Sequence, residues 1–176
     1  DLIPSRFSRI PWLFTSGAVR IDVAVIQITP PDEQGHASLG LGVDVARYAM
    51  EQASLVVAEV NPGIPRTIGD TFVHVDDFDL FVEAKEPPIY LPRWPVPDAF
   101  DRIAGHIAAV IEDGSCLSFS IGPIYEALAC HVWKKKHLGI HTPFFTDALM
   151  DLVTAGAGTN RRKRFFLGQS VAAYVL

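Results

Sequence analysis

Five prolines fall within eleven residues near the middle of the chain, at Pro87, Pro88, Pro92, Pro95 and Pro97. Proline fixes its own φ angle and has no N–H group to donate, so this stretch can form neither a helix nor a central strand. We therefore expect a linker over residues 87–97, with separate folded parts over residues 1–86 and 98–176. With 176 residues in all, the chain is long enough to bury a real core.

Short apolar runs recur on both sides of the linker and are typical of buried strands of the parallel type, apolar on both faces. They cover residues 23–28, 55–60, 80–82, 116–119 and 171–176. Helical patterns lie between several of these runs. The alternation predicts an α/β fold with open, mostly parallel sheets and flanking helices.

Three helices are expected in the second part. The clearest begins at residue 98, with Asp98 as its N-cap and Gly114 just beyond its end. Its apolar residues form one stripe: Phe100, Ile103, Ala104, Ile107, Val110 and Ile111. A second helix is predicted over residues 124–136, where three lysines crowd the end that favours cations, and a third over residues 145–153.

Composition excludes several classes of partner. The net charge of −5 lacks the positive field that non-specific nucleic-acid binding needs. No run approaches the length of a membrane span, and the first residues do not resemble a signal peptide, so we expect a soluble, cytoplasmic protein. Cys116 and Cys130 are predicted to be reduced thiols in packed positions, with a single disulfide bridge as the alternative. No metal site is expected because no ligand spacing is present. The chain begins without Met and stops in an apolar run, which indicates a fragment.

Loops that follow strands are the candidate sites, because open α/β sheets bind ligands beyond the carboxyl ends of their strands. One spans residues 28–40. A second, residues 61–70, carries Arg66, which suits a carboxylate or phosphate; the alternative is a structural loop in which Arg66 pairs with Asp70. A third, residues 118–124, enters a helix whose free N–H groups can hold an anion or an oxyanion, with Gly122 allowing close approach and Pro123 at the first helical position.

Two further motifs carry weaker signals. Residues 138–144 are predicted to be a strand end followed by a loop, and a lone His141 beside a strand is more often structural than catalytic. The run Arg161, Arg162, Lys163 and Arg164 is the only dense basic cluster. A solvated turn is favoured for it over a phosphate contact.

Residues 23–40, 65–74, 111–115 and 138–142, taken in order, resemble the acetyl-CoA hydrolase and 4-hydroxybutyrate CoA-transferase family of the class I CoA-transferases. The resemblance runs from about Pro4 to the last residue. Family members are much longer and have two similar open α/β halves. The resemblance therefore implies that residues 1–86 are the end of the first half and residues 98–176 the start of the second.

The resemblance also implies a chemistry. In such enzymes a glutamate attacks an acyl-CoA thioester and passes CoA, by way of a glutamyl-CoA thioester, to a small carboxylate or to water. The family's glycine-rich turn corresponds to residues 120–127. Ser120, Gly122 and Pro123 in this turn are implied CoA-binding residues, together with His141 and Arg66. Coenzyme A or acyl-CoA would be a substrate or ligand, and no permanently bound cofactor is implied.

The chain departs from the family at the nucleophile. The family pattern His-Ser/Thr-Glu-Met places its glutamate at position 143, where this chain has Pro143. Proline has no carboxylate, so no catalytic residue is assigned with assurance, and Glu126 and Asp147 are the substitute carboxylates.

Three interpretations stay open from the sequence. The first is a CoA-transferase or acyl-CoA hydrolase that uses another route. The second is a non-catalytic acyl-CoA-binding or scaffolding domain fused to another catalytic domain, such as an acetyltransferase. The third is an unrelated α/β binding domain. Whether the partner is a second copy in a homo-oligomer or a fused domain is also left open.

Overall fold

The computed structural model describes residues 3–176, and the chain forms two compact units, Asp1–Ile89 and Tyr90–Leu176. The division falls inside the proline-rich stretch, where residues 87–97 form neither helix nor strand. Both units are α/β with parallel sheets, as the strand-helix alternation predicts.

The first unit contains a parallel sheet and a small antiparallel hairpin. Its elements are a 3₁₀ turn Phe7–Arg9, α1 Ile10–Thr15, β1 Val23–Ile28, β2 His36–Ser38, α2 Ala46–Gln52, β3 Leu55–Val60, β4 Phe72–His74, a 3₁₀ turn Val75–Asp77 and β5 Leu80–Glu83. The parallel sheet has the order β1-β3-β5, with Val23 opposite Leu55. Strands β2 and β4 pair antiparallel.

Strand β1 buries one of its two faces in this unit. Ala24, Ile26 and Ile28 are buried in the core, whereas Val23 and Val25 are exposed. The prediction that β1 is a parallel strand is confirmed. The structure does not bury both faces of β1, although its apolar sequence predicts this. Side chains alternate between the two faces of a strand, and the core of this unit covers only one of them.

The second unit has a three-stranded parallel sheet in the order β6-β7-β8. Its elements are α3 Asp98–Val110, β6 Cys116–Leu117, α4 Pro123–Val132, β7 Gly139–Phe145, α5 Asp147–Thr154 and β8 Val171–Val175. Its core includes Val132, Leu138, Ile140, Leu149 and Leu152, all at 1% exposure or less. The three strands run in the same direction, so the N-termini of α4 and α5 lie at the same edge of the sheet.

Several predicted bounds need correction. Asp98 is the first residue of α3 and Pro97 its N-cap. Helix α4 ends at Val132, so the three lysines lie beyond it, and α5 begins at Asp147. Strand β6 is two residues long, whereas four were predicted.

The largest error concerns residues 141–144, which were predicted to be a loop and lie inside β7. Pro143 is tolerated in this strand because β6 pairs only with Gly139 and Ile140. Beyond Ile140, β7 has edge character on the β6 side, and a missing N–H costs little at an edge.

Candidate functional site

The turn from β6 into α4 is the first part of the candidate site. Gly122 is the N-cap of α4 and has φ +125°, a region that disfavours every residue with a side chain. Pro123 occupies the first helical position, where its missing N–H costs nothing, and no side chain caps the helix. Because Pro123 has no N–H and that of Tyr125 donates to the Gly122 carbonyl oxygen at 3.1 Å, the N–H of Ile124 is the one in this first turn left for a ligand or solvent.

Thr142 fixes the backbone just before this turn. Its Oγ1 accepts a hydrogen bond from the N–H of Phe119 at 2.9 Å and donates to the carbonyl oxygen of Phe119 at 2.6 Å. Both residues are buried. Strand β7 thus holds the chain one residue before Ser120, which makes the position of the turn well determined.

The start of α5 is the second part of the site. Thr146 is its N-cap residue, yet its side chain does not cap the helix, and its buried Oγ1 has no hydrogen-bond partner among the described residues. A buried hydroxyl without a partner costs free energy, so such groups usually have a bound ligand or a function. The N-termini of α4 and α5 both lack side-chain caps, and the hydroxyl of Thr146 has no partner within residues 3–176. These groups lie along one surface depression.

We call this depression the α4–α5 cleft. It is lined by Leu91, Pro92, Arg93, Trp94, Ser120, Ile121, Gly122, Tyr125, Glu126, Thr146, Asp147 and Leu176. It lies beyond the carboxyl ends of all three strands of its sheet, where open parallel sheets bind their ligands. Among the predicted site residues, the structure brings together Ser120, Gly122, Glu126 and Asp147, with Pro123 following Gly122 in the chain.

Glu126 is held in an ion-pair network. Its side chain is 14% exposed, and its Oε2 lies 3.3 Å from Nε of Arg93. Nη2 of Arg93 also donates to Oδ2 of Asp151 at 2.5 Å. The pKa of Arg93 is raised, chiefly by this hydrogen bond, with burial opposing the shift and the charges of Glu126, Asp151 and Asp147 adding to it. Glu126 therefore faces a permanent cation.

Asp147 is the freer of the two carboxylates. It is exposed at the first position of α5, and no cation lies within 4.0 Å of it in the described part of the chain. The helix dipole favours a negative charge at this position.

The other predicted site residues lie elsewhere. His141 and Pro143 lie within β7, and His141 lines a different cleft, with its ring edge-to-face against Phe166. Arg66 belongs to the first unit, where its Nη2 donates to Oδ2 of Asp32 at 3.0 Å and its guanidinium lies over the ring of Phe72. The alternative that pairs Arg66 with Asp70 is wrong, because Asp70 lies 3.5 Å from Arg47 instead.

Sequence reasoning missed Arg93, Thr142 and Thr146. Arg93 lies in the proline-rich stretch, which was interpreted only as a linker. Thr142 stands at the Ser/Thr position of the family pattern, but the sequence does not show its hydrogen bonds to Phe119 or the unpartnered Oγ1 of Thr146. Across residues 3–176, no three His, Cys, Asp or Glu side chains lie close enough together to hold a metal ion. Within the same range, no helix has the length and apolar character that crossing a membrane requires.

Comparison with known proteins finds similarity along the whole chain. Residues 1–91 match the family model described as "Acetyl-CoA hydrolase/transferase N-terminal domain". The 4-hydroxybutyrate coenzyme A transferase of Clostridium kluyveri is 39% identical over 176 residues, which is 100% of this chain and 41% of the relative. The succinyl-CoA:acetate/propanoyl-CoA:succinate CoA transferase of Fasciola hepatica is 37% identical over 177 residues, which is 100% of this chain and 37% of the relative.

Solved structures agree with this similarity. The 4-hydroxybutyrate CoA-transferase of Porphyromonas gingivalis superposes with a TM-score of 0.91 at 33% identity, over 99% of this chain and 45% of that structure. RipA of Yersinia pestis gives a TM-score of 0.94 at 30% identity, over 99% of this chain and 40% of that structure. The chain thus spans about two fifths of the length of the relatives it matches.

Proposed function

We propose, because this chain belongs to the acetyl-CoA hydrolase/transferase family, that it handles acyl-CoA and that the α4–α5 cleft receives the thioester. The observation that carries the proposal is the pair of uncapped helix N-termini on this cleft, together with the unpartnered Oγ1 of Thr146. Free N–H groups at helix N-termini stabilise negative charge, including the charge that develops on a thioester oxygen under attack.

The proposal assigns roles to three residues of the turn. The backbone at Ser120 and Gly122 would approach the thioester closely, and Pro123 would begin the helix without using an N–H group. The roles of His141 and Arg66 in CoA binding stay predictions from the family resemblance. Acceptance of CoA by a small carboxylate is likewise part of the proposal, as it is named for the relatives.

Calorimetric titration of CoA into the full-length protein tests the location. Ser120→Trp fills the cleft with an indole ring, so we expect CoA affinity to fall at least about tenfold, the loss of roughly 1.4 kcal/mol of binding free energy. Ser118→Trp is the matched control, because Ser118 is exposed, lies two residues earlier and does not line the cleft. If Ser120→Trp and Ser118→Trp bind CoA with equal affinity, CoA does not bind in the α4–α5 cleft.

The family's covalent route is not available at position 143, because Pro143 has no carboxylate to attack a thioester. The proposal is therefore acyl-CoA binding without a glutamyl-CoA intermediate at that position. A second candidate is CoA transfer through a relocated carboxylate. Asp147 favours it, because it is exposed on the cleft and has no cation within 4.0 Å in the described residues, whereas Glu126 is paired with Arg93.

Borohydride trapping separates the two candidates. A carboxylate that attacks acetyl-CoA expels the CoA thiolate and forms a mixed anhydride. The thiolate then attacks the side-chain carbonyl and expels acetate, which leaves an enzyme–CoA thioester that borohydride reduces to an alcohol. The full-length protein is incubated with acetyl-CoA, reduced and mapped by peptide mass spectrometry. The binding proposal predicts no modified acidic residue. Modification at Asp147 that disappears in Asp147→Asn and persists in Glu126→Gln would establish the relocated nucleophile instead.

A further inference from the structure

The basic run near the end of the chain lines a second cleft in the second unit. The lining residues of this basic cleft are Gly114, Cys116, His141, Arg162, Lys163, Arg164 and Phe165, and its volume is about 330 Å³. Cys116 is the first residue of β6, so the basic cleft lies toward the amino end of that strand. The α4–α5 cleft lies beyond the carboxyl ends, and the two clefts share no lining residue.

The arginines of the basic cleft are not neutralised by the protein. In the described part of the chain, no carboxylate lies within 4.0 Å of Arg162 or Arg164. No described lining residue is acidic, although the whole chain has a net charge of −5. The positive charge of this cleft is therefore available to a ligand.

Arg162 is held against a glycine. A Cβ atom built on Gly114 would come within 2.7 Å of Cδ of Arg162, and the φ of Gly114 is +85°. A side chain at position 114 would be strained and would push Arg162 away. Gly114 therefore lets the arginine stem lie across the turn before β6.

Lys163 forms the floor of the basic cleft. The residue is only 9% exposed, and its Nζ donates to the carbonyl oxygens of Ile140 and Gln169, each at 2.8 Å. Burial lowers the pKa of Lys163, and the nearby Cys116 opposes that shift. Its two carbonyl contacts fix the position of Lys163, the residue between the two arginines.

We propose that the basic cleft binds a phosphate ester. The guanidinium group matches phosphate oxygens in a bidentate geometry, and two unpaired guanidiniums face one concave space. The volume lies at the lower end of the range for small-molecule sites. Phe165, 75% exposed, offers an apolar surface to the organic part of the ester. Coenzyme A is itself a phosphate ester, but this proposal rests on the arginines of the basic cleft, and its test makes no use of the α4–α5 cleft.

The two free cysteines provide the test, because both are exposed and they lie in different surroundings. Cys116 lines the basic cleft, whereas Cys130 lines a groove that contains Glu126 and Asp151 as well as Arg93. The full-length protein is alkylated with anionic iodoacetate or neutral iodoacetamide, and the rates at each cysteine are followed by peptide mass spectrometry. Comparing two reagents at the same thiol removes its intrinsic reactivity from the result.

We expect the ratio of the iodoacetate rate to the iodoacetamide rate to be at least about three times as large at Cys116 as at Cys130. The reason is that a positively charged cleft concentrates the anionic reagent. Inorganic phosphate should slow iodoacetate labelling of Cys116 more than sodium chloride does at equal ionic strength. The double variant Arg162→Gln, Arg164→Gln should abolish the preference. Arg161→Gln should preserve it, because Arg161 belongs to the run but does not line the cleft.

Three results would overturn the proposal. Equal rate ratios at the two cysteines would show that the cleft does not concentrate anions. An unreactive Cys116 with both reagents would show that the cleft is closed in the full-length protein. Protection by chloride equal to that by phosphate would show charge screening without a phosphate site.

Discussion

Asp32 and Arg66 show how a residue that suits an anionic ligand is used within the protein itself. Oδ1 of Asp32 accepts hydrogen bonds from the N–H groups of His36 at 2.8 Å and Gln34 at 3.1 Å. Arg66 supplies a third bond at 3.0 Å. The pKa of Asp32 is lowered, chiefly by the His36 N–H, then by Arg66 and Gln34 against an opposing effect of burial. The charged carboxylate thus closes the turn ahead of β2.

Removal of this carboxylate should make folding less sensitive to acid. The folded pKa of Asp32 lies below the unfolded value of about 3.9, so its charge stabilises the fold above that pH. This stabilisation is lost as the pH falls through the lower folded pKa. We predict that the free energy of unfolding in urea falls less for Asp32→Asn than for the unchanged protein between neutrality and about pH 3.

Asp70→Asn is the matched control for this prediction. Asp70 lies 3.5 Å from Arg47, but its side chain is 94% exposed, so this ion pair contributes little to stability. Asp70→Asn should therefore show the same acid dependence of unfolding as the unchanged protein. Identical acid sensitivity of Asp32→Asn and the unchanged protein would contradict the assigned role of Asp32.

The partner of Arg66 could not have been predicted from sequence spacing. Asp70 lies four residues away, whereas Asp32 lies 34 residues away. The two loops meet because the side chain of buried Ser38 accepts from the N–H of Thr67 at 3.2 Å and Thr67 Oγ1 donates to the Gly40 carbonyl oxygen at 3.0 Å. Such contacts between distant loops leave no periodic signal in the sequence.

At the level of elements, two glycines in the second unit should respond oppositely to alanine. A Cβ on Gly122 would meet no atom within 4 Å, so the cost of Gly122→Ala arises from its φ of +125° alone, about 1–3 kcal/mol. Gly105 lies inside α3, and a Cβ there would make an ordinary contact with the His131 ring at 3.5 Å. Gly105→Ala should stabilise by about 0.5–1 kcal/mol through helix propensity.

Thermal or urea unfolding of both variants measures this difference. The two changes have the same chemistry, lie in the same unit and differ in backbone conformation. Gly122→Ala with unchanged stability would show that the turn adopts another conformation. A destabilising Gly105→Ala would show that α3 packs more tightly against His131 than the structure has it.

Elements with continuous apolar runs could be predicted well, and those with mixed signals could not. Strands β1 and β3 have the predicted bounds, because β-branched residues crowd both runs. The loop predicted at residues 141–144 is part of β7, and sequence alone does not reveal that β6 stops opposite Ile140, which leaves room for Pro143 in the strand. The apolar stripe of α3 is real, but Phe100, Ile103, Ile107 and Val110 are exposed, and only Ala104 and Ala108 are buried. Periodicity identifies a shared face and not what covers it.

For the chain as a whole, the fold class and the family could be predicted from sequence, whereas the set of residues that forms the site required the structure. The turn at Ser120, Gly122 and Pro123 was a candidate because it follows a strand and enters a helix. Arg93, Thr142 and Thr146 join it only through the arrangement of β6, β7 and α5. The net charge likewise excluded a general positive field and could not reveal one local basic cleft.

A crystal structure of the full-length protein with acetyl-CoA would show whether the thioester lies in the α4–α5 cleft. We predict the thioester carbonyl oxygen within about 2.7–3.1 Å of an N–H group in the first turn of α4 or α5. A thioester bound elsewhere, with the first turns of both helices facing only solvent, would rule out this cleft as its site.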